Sequence, residues 1–305
     1  MVPRPTGLIY IALKDFQYVS PDIIANAGSL LQRYDVVFCD VWGVIHDGRT
    51  AYAEAGEALA RFRSGGGTVV LVSNAPFAAS RVASVIGEKG VRREAWDTIV
   101  CSGDIARRHV EEMGYARIFC VGPEARDGAL FDSLPGQRAA LADAHAIVCS
   151  GLVNDRVETA EDYRGMLEHA LARALPLVCA NPDLMVDVGP DRLPCAGAIA
   201  ALYEDMGGSV FWAGKPHASA YQAAFRAGEA LRGAPVAPSR VLAIGDAVRT
   251  DLAAAQGAGV DALFIAGGLH RRETMQGREI VPDKLAHLFG RGMPPAIAAM
   301  PYLVW

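Results

Sequence analysis

Carboxylates stand at two places in the sequence where an apolar run ends. Asp40 directly follows the run Val36–Cys39, and Asp246 and Asp251 lie five residues apart after another such run. Carboxylate oxygens can attack phosphorus or bind a hard cation such as Mg²⁺, whose ligands often come from separate segments. Taken singly, Asp40 is better explained by an Asx-turn or a helix cap. Asp251 is explained equally well by an N-cap of the next helix and by support of a metal site.

Two further segments supply groups that suit an anionic substrate. Lys215 lies in the run Gly214-Lys215-Pro216, and Ser73-Asn74 follows the apolar run Thr68–Val72. A lysine provides a point charge for phosphate or for crowded carboxylates, while hydroxyl and amide groups hydrogen-bond phosphoryl oxygens. Alone, Gly-Lys-Pro is an ordinary turn, so it indicates a functional site only together with the carboxylates elsewhere in the chain.

Short apolar runs alternate with stretches of helical periodicity along most of the chain. The runs lack polar alternation, which predicts strands buried on both faces of a parallel sheet. We therefore expect an α/β fold with a doubly wound parallel sheet, and ligands at the carboxyl ends of its strands. The predicted strands are Val36–Cys39, Thr68–Val72, Ile99–Ser102, Ile118–Val121, Ala146–Ser150, Leu177–Ala180, Val210–Trp212, Val241–Ile244 and Ala262–Ile265.

The middle of the chain is long enough to form a smaller α/β unit of its own. The predicted organisation is an N-terminal extension over 1–33, a core built from 34–103 and 207–305, and an inserted domain over 104–206. A leading helix is predicted from Pro21 to Leu31. The apolar C-terminus, Met300–Trp305, packs either on the core or on a second subunit, so a homodimer is compatible with the sequence.

Composition excludes several functional classes. The chain has 305 residues, 51% of them hydrophobic, a net charge of −5 and no basic block, so we expect no nucleic-acid partner. No apolar run approaches the roughly 18 residues of a membrane span. Met1–Lys14 does not resemble a secretion signal, and the six cysteines lack metal-ligand spacing, which predicts buried thiols in a cytoplasmic protein.

Four segments follow one another in this order: Asp40-x-Trp42-Gly43-Val44, Ser73-Asn74, Gly214-Lys215-Pro216 and Gly245-Asp246-x-x-x-Thr250-Asp251. In type and order they resemble the motifs of the haloacid dehalogenase superfamily, most closely the NagD-like class IIA phosphatases, which carry a C2-type cap between the second and third motifs. Ser73 and Lys215 are 142 positions apart, against 33 from Asp40 to Ser73, and this surplus matches such a cap. Asn181-Pro182-Asp183 resembles the Asn-Pro-Asp of those caps.

The resemblance implies a Mg²⁺-dependent phosphohydrolase that acts on a small phosphorylated metabolite, with a sugar phosphate as one candidate. Asp40 is the implied nucleophile that forms an aspartyl phosphate. The implied metal ligands are Asp40, Asp246 and the backbone carbonyl of Trp42, with Asp251 orienting the lysine or the metal's waters. The implied catalytic partners are Lys215 and Ser73, and the expected substrate-binding residues are Ser73, Asn74, Asn181, Asp183 and His46.

One position departs from the family. Phosphatases of this family carry a second Asp two residues after the nucleophile, which protonates the leaving group and activates water, and this chain has Trp42 there. Indole cannot act as an acid or base near neutral pH, so the step loses about 10²- to 10⁴-fold unless another group replaces it. Three explanations are open: His46 or Asp47 replaces the acid, the substrate has a leaving group that needs no proton, or the chemistry is different.

Two alternative functions follow from that departure. One is a catalytically impaired regulatory protein that binds phosphate and Mg²⁺, favoured by Trp42 and opposed by the retained Asp40, Lys215 and Ser73. The other is a metal-free hydrolase of the 2-haloacid dehalogenase type. The paired carboxylates Asp246 and Asp251 oppose it, because they would repel an anionic substrate in the absence of a metal.

Overall fold

The structure is a computed structural model that describes residues 20–188 and 191–305. The prediction for Met1–Lys14 lies outside the described residues. Within them, the strands are β1 (Asp22–Ile23), β2 (Val36–Cys39), β3 (Thr68–Ser73), β4 (Thr98–Cys101), β5 (Arg117–Val121), β6 (Gln137–Arg138), β7 (Ala146–Cys149), β8 (Leu177–Cys179), β9 (Met185–Val188), β10 (Asp191–Pro194), β11 (Val210–Trp212), β12 (Val241–Gly245), β13 (Asp261–Ile265), β14 (Met275–Gln276), β15 (Glu279–Ile280) and β16 (Ala298–Met300).

The α-helices of the described residues alternate with these strands along most of the chain. In chain order they are α1 (Gly28–Leu31), α2 (Ala53–Ser64), α3 (Ala79–Glu88), α4 (Ser102–Met113), α5 (Glu124–Ser133), α6 (Arg164–Ala172), α7 (Ala196–Asp205), α8 (Ala218–Arg232), α9 (Ala253–Ala258), α10 (Arg271–Thr274) and α11 (Pro282–Leu288). No helix among the described residues is both long and apolar enough to cross a membrane.

A seven-stranded parallel sheet forms the larger core, in the order β1-β16-β13-β12-β2-β3-β4. Because side chains alternate along a strand, β2 buries Val37 and Cys39 against α2 and α3 on one face, and Val36 and Phe38 against α8 and α9 on the other. Both faces are therefore covered by helices, and the predicted doubly wound α/β core is confirmed.

A second parallel sheet, in the order β11-β8-β7-β5-β6, forms the smaller unit. In β7, Ile147 and Cys149 pack against α6 and α7, while Val148 packs against α4 and α5. The edge strand β11 pairs with β8, with Phe211 opposite Val178. Residues 210–212 thus belong to the second sheet, whereas the sequence had placed everything after 206 with the larger core.

The two ends of the described chain meet at one edge of the larger sheet. The leading helix predicted from Pro21 to Leu31 is wrong in its first half, because Asp22–Ile23 forms a strand parallel to β16 and only Gly28–Leu31 is helical. The C-terminus packs on the chain's own core: Leu303 is fully buried, and the Trp305 indole lies against Gly28. All six cysteines are free thiols, and five of them are buried.

Candidate active site

Three neighbouring strands of the larger sheet deliver the predicted polar groups to one edge. β2 lies between β12 and β3, so Asp40, Ser73 and Asp246 all follow or end adjacent parallel strands. The backbone N–H of Asp40 donates to the carbonyl of Ile244 at 2.8 Å, which continues the pairing of β2 with β12 past the last strand residue. The register of the sheet therefore fixes the distance between the two acidic segments.

The carboxylates of Asp40, Asp246 and Asp251 converge, with one oxygen from each lying within 4.8 Å of the others. Asp246 and Asp251 are buried, and the side chain of Asp40 is 12% exposed. The Asp246 carboxylate fits against glycine backbone: a Cβ atom on Gly43 would lie 2.0 Å from its Oδ2. Gly43 has φ +84°, so this position requires glycine both for its backbone conformation and for the space.

Lys215 joins two of these carboxylates. Its Nζ lies 2.6 Å from Asp40 Oδ1 and 2.6 Å from Asp251 Oδ1, and its side chain is only 3% exposed. Burial by itself would lower the pKa of Lys215, but the charges of Asp251 and Asp40 outweigh burial and hold this pKa well above its ordinary value. The lysine is therefore a permanently charged group at the centre of the cluster.

The acidic groups remain electrostatically crowded despite this lysine. Burial and then the charge of Asp251 raise the pKa of Asp40 from 3.8 to about 7, against the opposing effect of Lys215. Burial and the charges of Asp40 and Asp251 raise the pKa of Asp246 well above its ordinary value. Three carboxylates facing one ammonium leave an excess of negative charge, which favours binding of a cation.

Asp251 has a different local role from the helix N-cap that its sequence position allows. It lies in a single π-helical turn, Val248–Leu252, that precedes α9. Its Oδ2 accepts the N–H of Ala247 at 3.1 Å while its Oδ1 accepts from Lys215. Both oxygens are thus used to hold the turn and to orient the lysine.

Asn74 connects the lysine loop to the smaller unit. Its Oδ1 accepts the backbone N–H of Lys215 at 2.9 Å, and its Nδ2 donates to the Lys215 carbonyl and to Asp183 Oδ1, both at 2.9 Å. The amide is buried, and these protein groups use both of its hydrogens. Burial raises the pKa of Asp183 above its ordinary value, although the hydrogen bond from Asn74 lowers it.

The remaining predicted substrate contacts are placed differently. The Ser73 hydroxyl is half-buried at the end of β3 and accepts the Ala75 N–H at 3.2 Å. Asn181 Oδ1 accepts the Asp183 N–H at 3.2 Å and so shapes the Asn-Pro-Asp turn. Of the predicted set, the structure brings Asp40, Lys215, Asp246 and Asp251 into one cluster, and Ser73, Asn74 and Asp183 to its border.

His46 lies under Trp42 and not beside the carboxylates. It is 3% exposed, its Nδ1 accepts the Gly48 N–H at 2.8 Å, and its ring meets the indole edge-on at 5.2 Å. Burial lowers the pKa of His46 to about 4. The ring is almost fully buried within its own loop, and contact of His46 with substrate stays a prediction.

Asp47 lies on the exposed side of the same loop. Its Oδ1 accepts the backbone N–H groups of Arg49 and Thr50, both at 2.8 Å, which is the pattern of an Asx-turn. The hydrogen bond from Thr50 lowers the pKa of Asp47 below its ordinary value. Its Oδ1 thus stabilises the loop.

Sequence reasoning missed two groups that shape the cluster. The backbone N–H of Leu269 donates to Asp246 Oδ2 at 2.6 Å, and a Cβ on Gly268 would lie 2.0 Å from the same oxygen. These residues follow β13, so the strand-end rule that found Asp40 also covers them. The fully buried Ser102 hydroxyl lies 3.4 Å from the Ser73 carbonyl. It ends the predicted strand Ile99–Ser102, so the strand-end rule also covers it, although in the structure it begins α4.

The donor set at this edge fits a hard divalent cation. The carboxylates of Asp40 and Asp246 offer the oxygen atoms that Mg²⁺ prefers, and the third carboxylate is engaged with Lys215. The same groups suit phosphoryl chemistry, which requires a nucleophilic oxygen and fixed positive charge beside it.

Two family models match the chain. The model described as haloacid dehalogenase-like hydrolase covers residues 37–131, and one described as HAD-hydrolase-like covers residues 212–290. Among curated proteins, none matches at a significant level.

Several solved structures share the fold. A hydrolase of the haloacid dehalogenase-like family from Brucella suis is 42% identical, covers 93% of this chain and 100% of its own, and superposes with a TM-score of 0.78. A p-nitrophenyl phosphatase from Archaeoglobus fulgidus is 22% identical over 88% of this chain and 96% of its own, with a TM-score of 0.67. A glycerol phosphate phosphatase from Mycobacterium tuberculosis, solved with magnesium, is 22% identical over 79% of this chain and 70% of its own, with a TM-score of 0.61.

Proposed function

The chain belongs to the haloacid dehalogenase superfamily, class IIA, and from this premise we propose that it is a Mg²⁺-dependent phosphohydrolase that forms an aspartyl phosphate on Asp40. Its substrate is a small phosphorylated metabolite, with sugar phosphates as one candidate class. The observation that carries the proposal is the placement of Lys215 Nζ at 2.6 Å from both Asp40 and Asp251, beside a third buried carboxylate.

In this proposal, one oxygen of Asp40 attacks the phosphorus while Lys215 holds the carboxylate in position. The ammonium stabilises the negative charge that the phosphoryl oxygens carry in the transition state. The Ser73 hydroxyl donates a hydrogen bond to one of those oxygens. Asp40, Asp246 and the Trp42 carbonyl would hold the cation, which would supply positive charge beside the phosphoryl group.

Asn74 and Asp183 act as positioning residues in this scheme. Because both hydrogens of the Asn74 amide are used within the protein, its contribution is to fix the backbone of Lys215. Asp183 belongs to the inserted unit and accepts from the same amide, so the contact ties that unit to the lysine loop. In this proposal, the inserted unit covers a bound substrate and excludes water.

Phosphate release tests this function directly. We would assay an aryl phosphate, acetyl phosphate and a panel of sugar phosphates with and without Mg²⁺, comparing wild type with Asp40→Asn. The matched control is Asp22→Asn, which changes an exposed carboxylate at the far edge of the sheet. The expected result is release that requires both Mg²⁺ and Asp40 and that persists in the control.

Two other outcomes would contradict the proposal. Mg²⁺-dependent binding of BeF₃⁻ without release from any phosphate ester would favour a phosphate-binding regulatory protein. Halide release from a 2-haloacid in the absence of Mg²⁺ would favour a dehalogenase.

A further inference from the structure

The side chain of Trp42 is held in place by its own loop. Its side chain is 43% exposed, although the neighbouring Val41 and Val44 are buried. The indole lies directly on the backbone of Gly48: a Cβ there would be 2.5 Å from two of its ring carbons. With the His46 ring edge-on beneath it, the indole is held in place two residues after Asp40.

The groups around this indole cannot readily deliver a proton to a leaving group. The His46 ring is almost fully buried against the indole, and its Nδ1 accepts the Gly48 N–H, which leaves only Nε2 to carry a proton. The Asp47 carboxylate is engaged by two backbone N–H groups on the outer side of the loop. Lys215 is clamped between two carboxylates, and the Trp42 indole itself is neither acid nor base near neutral pH.

We propose that this site takes phosphoryl donors whose leaving group departs without a proton, namely acyl, enol and aryl phosphates, and that the phosphoryl group then persists on Asp40. The inference rests on the proposed phosphohydrolase function and narrows its substrate class. The half-exposed indole, two residues after the nucleophile in the sequence, also offers a flat apolar surface of the kind on which planar groups stack.

The chemistry balances without a protein acid. In the first step, an Asp40 oxygen forms a bond to phosphorus, and the bond from phosphorus to the leaving oxygen breaks. The electron pair leaves with that oxygen as a carboxylate, enolate or phenolate. In the second step, a water oxygen bonds to phosphorus, the bond to Asp40 breaks, and the water's proton passes to solvent.

The lack of an acid or base at Trp42 also slows the second step, the hydrolysis of the aspartyl phosphate. A positioned acid or base contributes about 10²- to 10⁴-fold to a proton transfer, and neither Trp42 nor the loop residues around it supply one to the attacking water. Breakdown of the aspartyl phosphate becomes slower than its formation from an activated donor. The enzyme therefore accumulates as phosphoenzyme during turnover.

Rapid-quench kinetics combined with intact-protein mass spectrometry test this inference. Wild type, Trp42→Asp and Trp42→Phe would each be mixed with acetyl phosphate, a series of substituted aryl phosphates, or glycerol phosphate, in the presence of Mg²⁺. For wild type we expect a burst approaching one leaving group per enzyme, a mass gain of one phosphoryl group on Asp40, and a steep rise in rate with leaving-group acidity.

The two variants distinguish the effect of lacking a proton donor at position 42 from the effect of having an aromatic ring there. Trp42→Asp should raise glycerol phosphate turnover by about 10²- to 10⁴-fold and abolish the burst, while Trp42→Phe should keep the wild-type donor preference. The comparison of phosphoryl donors on wild type tests the inference even if the variants do not fold. Wild-type hydrolysis of glycerol phosphate as fast as of aryl phosphates, without a burst, would overturn the inference but leave the phosphohydrolase function intact.

The alternative source of the proton is Asp183 of the inserted unit. If the same fast alkyl phosphate hydrolysis disappeared in Asp183→Asn, the inserted unit would be providing the acid, and the inference would again be wrong. Failure of the proposed function has a different signature, because no donor would then add a phosphoryl group to wild type.

Discussion

Asp246→Asn should stabilise the metal-free protein while abolishing its response to Mg²⁺. The buried Asp246 carboxylate has an oxygen within 4.8 Å of oxygens of both Asp40 and Asp251. At an effective dielectric constant of about 20, two unit charges at that distance repel by about 3.5 kcal/mol. The attraction of Lys215 and partial protonation offset part of this repulsion, so we expect a net gain of about 1–3 kcal/mol. The asparagine oxygen can still accept the Leu269 N–H.

The pH dependence gives the sign of this effect. Burial and neighbouring carboxylates raise the pKa of Asp246 above its unfolded value. The cost of the charged form is therefore absent below about pH 4, where the unfolded carboxyl is also protonated, and it grows as the pH rises. Wild type and variant should be similar in stability near pH 4 and diverge towards neutral pH, with the variant melting higher.

Thermal melting followed by circular dichroism, in EDTA and then in Mg²⁺, measures both halves of the prediction. A ligand at 100 times its Kd stabilises a protein by about 2.7 kcal/mol. Wild type should gain an amount of this order from saturating Mg²⁺, and Asp246→Asn should gain little. Asp22→Asn should behave as wild type. A natively folded Asp246→Asn that melts below wild type in EDTA at neutral pH would refute the account of charge crowding.

Three further substitutions test the framework around the cluster. Lys215→Met should cost about 3–5 kcal/mol in unfolding free energy and abolish phosphate release, because it leaves buried carboxylates without their cation. Asn74→Ala should cost about 1–3 kcal/mol, measured by urea unfolding, and lower kcat, because the Lys215 N–H and Asp183 lose their partner. Gly43→Ala should abolish Mg²⁺-induced stabilisation, because its Cβ would displace the Asp246 carboxylate.

Controls exist in the same chain for two of these changes. Lys284→Met removes an exposed lysine from α11 and should leave activity unchanged. Gly66→Ala introduces a side chain at φ +92° where no atom lies within 4 Å of the new Cβ, so it isolates the cost of backbone strain from that of the clash. Equal loss of the Mg²⁺ response in Gly66→Ala and Gly43→Ala would show that the clash with Asp246 is not the cause.

The sequence alone predicts nine of the strands in the two parallel sheets, and it predicts the polar groups at the ends of the core strands. Runs such as Val36–Cys39 are apolar at every position, and only a sheet covered on both faces buries such a strand completely. Asp40, Ser73 and Asp246 follow from the same rule, because the carboxyl ends of parallel strands share one edge. These predictions succeed because burial pattern and strand direction are encoded within a few residues.

Tertiary structure decided what depends on distant partners. Asp22–Ile23 becomes a strand only because Ala298–Met300 lies beside it, 276 positions away at Asp22, and no local pattern records that pairing. The contact of Asn74 with Asp183 likewise joins residues 109 positions apart. A short segment has several conformations of similar energy, and long-range pairing selects among them.

The loop after β2 shows the same difference between what the sequence predicts and what depends on tertiary packing, here at the site itself. The sequence identified Trp42 as the departure and offered His46 and Asp47 as replacements, since all three lie within a few residues of Asp40. Their side-chain directions were set by the fold: Gly48 receives the indole, and His46 is buried beneath it. Whether a residue can transfer a proton depends on its burial and its hydrogen-bond partners. Both are set by the tertiary packing and cannot be deduced from the order of the residues in the sequence.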